Sequence, residues 1–541
     1  MTDQASAELR VIEAALRRHP AVGEALAVAA GTPAALPKVY VVPRLDSDHP
    51  EVATLAMETA AGEQVEHWRR FHDQRFADNG APAGTPAGPW LSSYSRRPMP
   101  VAEVGAWADS LVELVLRSRP RRLLQVGCGT GTLLARLAPH CASYQATDIS
   151  AAALRQARAL QAGQPQLAHV TLSQRPADDW QNIPQRSLDA VVISAACAYF
   201  PTVDYLLRVL DAAVRAVAAG GVVVISDVRN LTLLPAFHVS VELYRAADRL
   251  QRAELGQRVE QRLAREQELA VDPKLFRLLP HLLPRIERVE IRVKRGFQRN
   301  ELSLFRYDVL LHVGQREVPV AQRAPITEPL SDAGKSSVQS ASDLSLCVID
   351  WARDAMLPPE LRRFLDRQQP GLALLLQVPD LRLRTEMQAL TWLGLAPPAG
   401  GVWHLPALEP IPETVGDLRR QLGDEAAVTE PETFWRLGQE LGYATEVEAS
   451  ETPGCFDVVL QRPARGSSRT ASAGELLGTS LRAQPAGSAI HWQDYANQPL
   501  HGSLTRRLVP RLAQHLAAEL PQLPAVQVVL CSQLPGSTAR A

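Results

Sequence analysis

The stretch LLQVGCGTGTLLARL at residues 123–137 constrains the fold more than any other in the chain. An apolar, strand-like run breaks at Gly127, Gly129 and Gly131, with Cys128 and Thr130 between them, and resumes as a helical pattern. Glycines two apart let the backbone turn through conformations closed to other residues, and they leave no side chain between the chain and a ligand. The following helix start adds N–H groups without intrahelical partners. The pattern predicts a strand-to-helix turn built for close approach of a small molecule.

The flanking sequence repeats the alternation. Strands are expected at RLLQVG (122–127), SYQATD (143–148), DAVVIS (189–194) and GVVVISD (221–227). Helices are expected at TLLARLA (132–138), AAALRQARALQ (151–161) and DYLLRVLDAAVRAVA (204–218), whose Leu and Val spacings each define one buried stripe. Strands alternating with helices predict an α/β fold with a mostly parallel sheet. Asp148 ends the second strand seventeen positions after Gly131, where a carboxylate accepts hydrogen bonds from ribose hydroxyls. RPADDW (175–180) then offers Asp178 or Asp179 to an adenine amino group. No GKS or GKT follows the glycines and the GxGxxG spacing is absent, so a phosphate-bearing ligand fits less well. Ribose and adenine without phosphate describe S-adenosylmethionine.

Composition narrows the partners. Lys and Arg (57) balance Asp and Glu (58) at a net charge of −1, which removes the global field of many nucleic-acid or anionic-membrane binders. The N-terminal MTDQASAELRVIEAALRRHP carries acids and no apolar signal core, so a cytoplasmic location is the expectation. Six dispersed cysteines without CxxC pairs predict reduced thiols and no metal site. Pro-rich and small polar runs mark linkers at 316–345 and 464–488, and another such run lies at 80–89.

At this point the chain resembles a known family, the methyltransferase domains embedded in the adenylation domains of nonribosomal peptide synthetases. The resemblance is carried by WLSSYSRRPMPVAEVGAW (90–107), LLQVGCGTGTLLARLAPHCASYQATDIS (123–150), the long run from YFPTVDYLL (199–207) to HVSVELYRA (238–246), VDPKLFRLLPHLLPRIERVEIRVKRG (271–296) and NELSLFRYDVLL (300–311). It implies a Rossmann-like class I methyltransferase with a mostly parallel seven-stranded sheet at 60–315, preceded within it by a helical lid. An α/β accessory region is implied at 346–463. The flanks 1–48 and 489–541 look like the two halves of the adenylation domain's small C-terminal subdomain, a split α+β unit. Where that family ends in a lysine-bearing motif this chain reads SQLPGSTARA, so the resemblance implies no adenylation by these residues.

The implied donor site comprises Tyr94, Gly127, Cys128, Gly129, Thr130, Gly131, Asp148, Ile149, Ala177, Asp178 and Ser194. For methyl transfer the enzyme must hold a nucleophile in line and keep an amine neutral. His238 is the candidate base, Glu301 the group facing an amine or ammonium, Arg306 an orienting cation and Tyr199 an aromatic face for the sulfonium. Plainer alternatives are a structural histidine for His238 and a strand-pairing ion pair for Glu301 and Arg306; for Tyr94 and Trp90, which the resemblance places in the lid, the alternative is a core aromatic. Members of the family commonly read NSVVQYFP where this chain has SAACAYFP, which shortens two polar positions to Ser194 and Ala198. The expected reaction is methylation, foremost at nitrogen, of an aminoacyl or peptidyl thioester held in trans by a carrier protein. Carbon, oxygen or free small-molecule acceptors, and a noncatalytic synthetase-binding role, are the alternatives.

Overall fold

The computed structural model describes residues 2–29, 37–43, 53–77, 90–296, 298–315, 346–354, 356–395, 403, 405, 407–422, 429–462, 491–522 and 526–531. Both expected linkers, 316–345 and 464–488, lie outside the described residues. In chain order the strands are β1 (Val22–Val28), β2 (Lys38–Pro43), β3 (Arg122–Val126), β4 (Ser143–Asp148), β5 (Val170–Gln174), β6 (Leu188–Ser194), β7 (Val217–Asn230) and β8 (Ala270–Val271). They continue with β9 (Ile286–Val293), β10 (Arg306–Val313), β11 (Leu346–Asp350), β12 (Leu372–Pro379), β13 (Ala444–Ala449), β14 (Cys455–Gln461) and β15 (Gln527–Leu530).

Two compact units divide the chain. The first takes residues 1–68, 265–268 and 498–541, so both ends of the chain build one body. Its three-stranded sheet runs β1-β2-β15, with β15 parallel and β1 antiparallel to β2. Leu504, Leu508, Leu512 and Leu516 recur every four residues along the helix His501–Glu519 and are all buried, against Val39, Val41 and Leu16. That spacing is one helical face, and its burial is what ties the two chain ends together.

The second unit holds the large sheet, in the order β11-β12-β14-β13-β9-β10-β7-β6-β3-β4-β5, with β8 beside β7. The expected seven strands are β5-β4-β3-β6-β7-β10-β9, and β3, β4, β5, β6 and β7 pair in parallel. Residues 190–193 are Ala, Val, Val and Ile and all are buried, the unbroken apolar run of a strand covered on both faces. The helices Ala151–Ala162 and Val203–Ala216 supply that cover with Leu154, Leu160, Leu206 and Leu210. Both begin on a side-chain cap, Ser150 accepting from Ala153 N and Thr202 from Tyr205 N.

The sheet does not stop at seven strands. The accessory region adds its four to the far side of β9, where Glu448 of β13 stands opposite Arg292. Helix Arg384–Leu393 of this region also packs on helix Leu234–Arg245 through Leu390 and Trp392 against Val239 and Leu243. No helix among the described residues is long and apolar enough to cross a membrane.

Candidate functional site

Strands β3, β4, β5, β6 and β7 run parallel and end on one edge of the large sheet, and the loops leaving that edge carry residues 127–131, Asp148, Asp178 and residues 194–199. At the end of β3 the N–H groups of Gly127 and Cys128 both donate to Thr147 O, at 2.9 and 3.0 Å, which folds the turn back over β4. Gly127, Gly129 and Gly131 all have positive φ, +79°, +53° and +94°. Their surroundings differ. A Cβ on Gly127 would lie 2.9 Å from Ala196 Cβ and 3.0 Å from Ser194 O, and one on Gly131 would lie 2.8 Å from Leu160 Cδ2. A Cβ on Gly129 would meet nothing within 4 Å. The outer glycines are pressed against protein, whereas the middle one opens on free space beside the partly exposed Thr130. Cys128 is buried, and burial pushes its thiol well above the ordinary range. The helix that follows spans only Leu134–Leu137, so the turn itself presents the backbone donors.

Asp148 holds the open glycine. Its Oδ2 accepts from Gly129 N and its Oδ1 from Ser150 N, both at 2.8 Å. The two carboxylate oxygens have four lone pairs between them, and the Ile149 backbone adds a third donor, so an acceptor position remains beyond these bonds. Burial, with the nearby Asp73 charge, raises the Asp148 carboxyl above its usual range, against the pull of three backbone donors, Ser150, Gly129 and Ile149. Ile149 O is taken by Gln174 Nε2 at 3.1 Å. Asp178 lies past the end of β5, where Tyr205 Oη donates to its Oδ1 at 2.8 Å, and Ala177 O accepts from Trp180 Nε1 at 2.9 Å. Ser194 Oγ, at the end of β6, donates to Gly127 O at 2.9 Å and accepts from Gln125 Nε2 at 3.0 Å. The short serine therefore fastens the glycine turn to the neighbouring strand.

Tyr199 sits in a single 3-10 turn, Cys197–Tyr199, with its ring 4.6 Å from that of His72 and edge-on. His72 belongs to helix Ala53–Ala77, and burial, aided by Arg75, lowers its imidazole to about 4. One residue on, Asp73 Oδ1 accepts from Ser150 Oγ at 2.8 Å and from Ala152 N at 3.1 Å. The end of that helix is thus anchored beside the Asp148 loop.

Residues 90–99 form a closed strap, Met99 N donating to Trp90 O and Ser92 N to Arg97 O. Ser93 donates to Glu301 through both N, at 2.7 Å, and Oγ, at 2.5 Å. Arg245 donates to the carbonyls of Ser93 and Tyr94. Tyr94 Oη lies 3.1 Å from Ser240 Oγ. Glu301 is 3% exposed and starts the short helix just before β10. Arg306 begins β10 opposite Arg229 and makes no side-chain hydrogen bond or ion pair among the described residues. His238 is buried on helix Leu234–Arg245, beside Phe237.

Sequence reasoning placed the end of the fourth core strand at Asp227. The strand runs on to Asn230, because Asp227 adopts φ +60° in a bulge opposite Asp308. There the Asp227 N–H donates to Asp308 Oδ1 at 3.0 Å, and Lys294 Nζ bridges Asp227 Oδ1 at 2.8 Å and Asp308 Oδ1 at 2.6 Å. Trp107 Nε1 donates to the other Asp227 oxygen at 2.5 Å. Both carboxylates hold Lys294 above its ordinary range against the opposing effect of its burial. Nothing in the spacing of residues 227, 294 and 308 announced this triad, since β7, the residue just after β9, and β10 supply it. Among the described residues no group of three or more His, Cys, Asp or Glu side chains could hold a metal ion.

Residues 124–223 match the family described as "Methyltransferase domain". Over 532 residues, 95% of this chain, the sequence is 33% identical to chondramide synthase cmdD of Chondromyces crocatus. Over 296 residues, 54% of this chain, it is 36% identical to the probable non-canonical nonribosomal peptide synthetase CymA of Salinispora arenicola (strain CNS-205). The chain spans only 12% and 4% of the lengths of these two relatives. Among solved structures, the N-methyltransferase NodS of Bradyrhizobium japonicum WM9 in complex with S-adenosyl-L-homocysteine is 19% identical with a TM-score of 0.25, covering 30% of this chain and 74% of that one.

Proposed function

We propose that this chain, which carries a methyltransferase domain related to the methyltransferase regions of nonribosomal peptide synthetases, moves a methyl group from S-adenosylmethionine to the nitrogen of an aminoacyl or peptidyl thioester on a carrier protein. One observation carries the donor assignment. Of three positive-φ glycines in the turn, only Gly129 faces open space, and its N–H is held by an Asp148 carboxylate that keeps an acceptor position. A cradle of that kind suits a ribose, whose hydroxyls donate to Asp148, and an amino-acid portion running along the turn. Asp178, Ala177 and Ile149 stand where the purine end of such a ligand would extend, at the loops after β5 and β4. The donor brings an activated methyl group, and the protein has to bind, orient and keep water out.

On the acceptor side, Glu301 and the strap it holds lie at the start of β10, on the same edge as the ends of β3, β4, β6 and β7. His238 and Arg306 complete the proposed acceptor region, and Tyr199 offers its ring to the sulfonium. The domain division follows the same reading: core with lid at 60–315, accessory region at 346–463, and 1–48 with 489–541 as a split subdomain that serves as a platform or carrier contact.

Calorimetry tests the donor site. Wild type should bind S-adenosyl-L-homocysteine, and a folded Asp148→Ala variant should bind it roughly ten- to hundredfold more weakly, the effect of losing a charge-assisted acceptor. Equal affinity in the two proteins would refute the assignment.

A further inference from the structure

Glu386 lies on helix Arg384–Leu393 of the accessory region, outside every motif of the methyltransferase core, yet it is 8% exposed and reaches the strap. Ser240 Oγ donates to Glu386 Oε1 at 2.8 Å, and Tyr94 Oη stands 3.1 Å from the same Ser240 oxygen. A serine hydroxyl has one proton. Because Ser240 gives it to Glu386, the hydrogen bond between Tyr94 and Ser240 must be donated by Tyr94. The tyrosine proton then points away along the chain, and its oxygen shows only lone pairs to any ligand. The second carboxyl oxygen of Glu386 is buried and has no hydrogen-bond partner among the described residues. The helices involved pack against each other through Val239, Leu243, Leu390 and Trp392, so the arrangement is held from both sides.

We propose that Glu386 and Ser240 are positioning residues that fix Tyr94 as a hydrogen-bond acceptor for an N–H at the methyl-accepting position, and that Glu386 is the sink for the proton that N–H releases. The inference rests on the methyl-transfer reading above, in which the strap covers the acceptor region. In the release step the nitrogen gives its proton to Tyr94 Oη, Tyr94 gives its own to Ser240, and Ser240 gives its own to the Glu386 carboxylate. One N–H and two O–H bonds break and three O–H bonds form, leaving Glu386 a neutral acid and both hydroxyls unchanged. Burial raises the Glu386 carboxyl above its ordinary range, which favours taking up a proton. The charged groups that act on it besides its Ser240 bond are Asp380, which raises it further, and Arg299, which opposes. Tyr94 is itself held up by burial and by the charges of Glu386 and Glu301, so it passes a proton on without remaining a tyrosinate. The arrangement selects an amine over a carbonyl, which has no proton to offer Tyr94.

Two donor analogues test this without knowledge of the natural acceptor. S-adenosyl-L-homocysteine lacks the methyl group, and sinefungin carries an amine in its place, so the difference in their affinities reads the surroundings of that position. Glu386→Met and Ser240→Ala should each weaken sinefungin roughly tenfold, the scale of a hydrogen bond to a charged group, with S-adenosyl-L-homocysteine changed less than about twofold. The double variant should lose no more than either single one, because the residues act in series. Unchanged sinefungin affinity in both variants, or equal losses for both analogues, would overturn the relay while leaving the donor site standing. A wild-type protein that binds neither analogue would overturn the methyl-transfer reading and the relay with it.

Discussion

At the scale of single residues, the three glycines of the turn have unequal duties. Gly127→Ala puts a methyl group against Ala196 Cβ and the Ser194 carbonyl, neither of which can swing aside, and should destabilise the fold by about 2 kcal/mol or more. Gly129→Ala meets no atom and should cost only the backbone strain of its φ, about 1 kcal/mol, while placing its methyl group in the donor's path. Thermal melts and calorimetry on the two variants should therefore separate, the first losing stability and the second donor affinity. Equal melting temperatures would contradict this division. Gly127, Gly129, Gly131 and Asp148 were legible in the sequence because their signal is local, a strand, a turn and a strand end within 26 residues. Ser240 and Glu386 were not. Each pairing along the Tyr94–Ser240–Glu386 chain spans 146 residues, and neither a serine nor a glutamate in a helix differs in pattern from a solvated one.

Between elements, the strap at 90–99 depends on a short helix and a long one for its position. Glu301 receives two hydrogen bonds from Ser93, so its negative charge orders the strap as well as facing the acceptor region. Glu301→Gln should lower turnover on a carrier-bound aminoacyl thioester by roughly tenfold or more with donor affinity nearly unchanged, and Ser93→Ala should reproduce part of that loss. Wild-type turnover in both would remove Glu301 from the acid–base account. The joint between β9 and β13 invites a different measurement. Burial pushes Glu448 up to about 8, Arg277 counteracting and Glu446, Glu290 and Asp457 adding to the rise. From the ordinary carboxylate range up to about pH 8 the folded protein then binds a proton that the unfolded chain has lost, so stability falls as pH rises through that window. Glu448→Gln should flatten this dependence and raise the melting temperature at pH 8, a gain of about 1–3 kcal/mol. An unchanged pH profile would place the titration elsewhere. Strands β3, β4, β6 and β7 and the helices between them were readable from period and composition, whereas the remaining core strands were implied only by the family resemblance, and the bulge at Asp227 was not foreseen, because Asp308 and Lys294 come 81 and 67 residues further along.

For the whole molecule, the sequence pattern gave the parallel centre of the sheet but not its extent. The order of strands in the chain does not reveal that β13 joins β9 through Glu448 and Arg292, since one cross-strand position makes the joint. The two chain ends fall in one unit through the leucine stripe at 504–516, whereas in the sequence only the family resemblance of the flanks 1–48 and 489–541 pointed to their association. These residues should give no amino-acid-dependent pyrophosphate exchange, since SQLPGSTARA offers no lysine to an acyl adenylate. Exchange activity in the purified chain would reverse that expectation. The central claim is methyl transfer to a carrier-bound amine, and its most direct test is intact-mass measurement of carrier proteins loaded with a panel of amino acids, after incubation with methyl-labelled S-adenosylmethionine. The account predicts that at least one loaded carrier gains a single labelled methyl group on nitrogen, and that the Asp148→Ala protein does not supply it. Label that stays on the donor with every loaded carrier, or passes only to free amino acids, would contradict it.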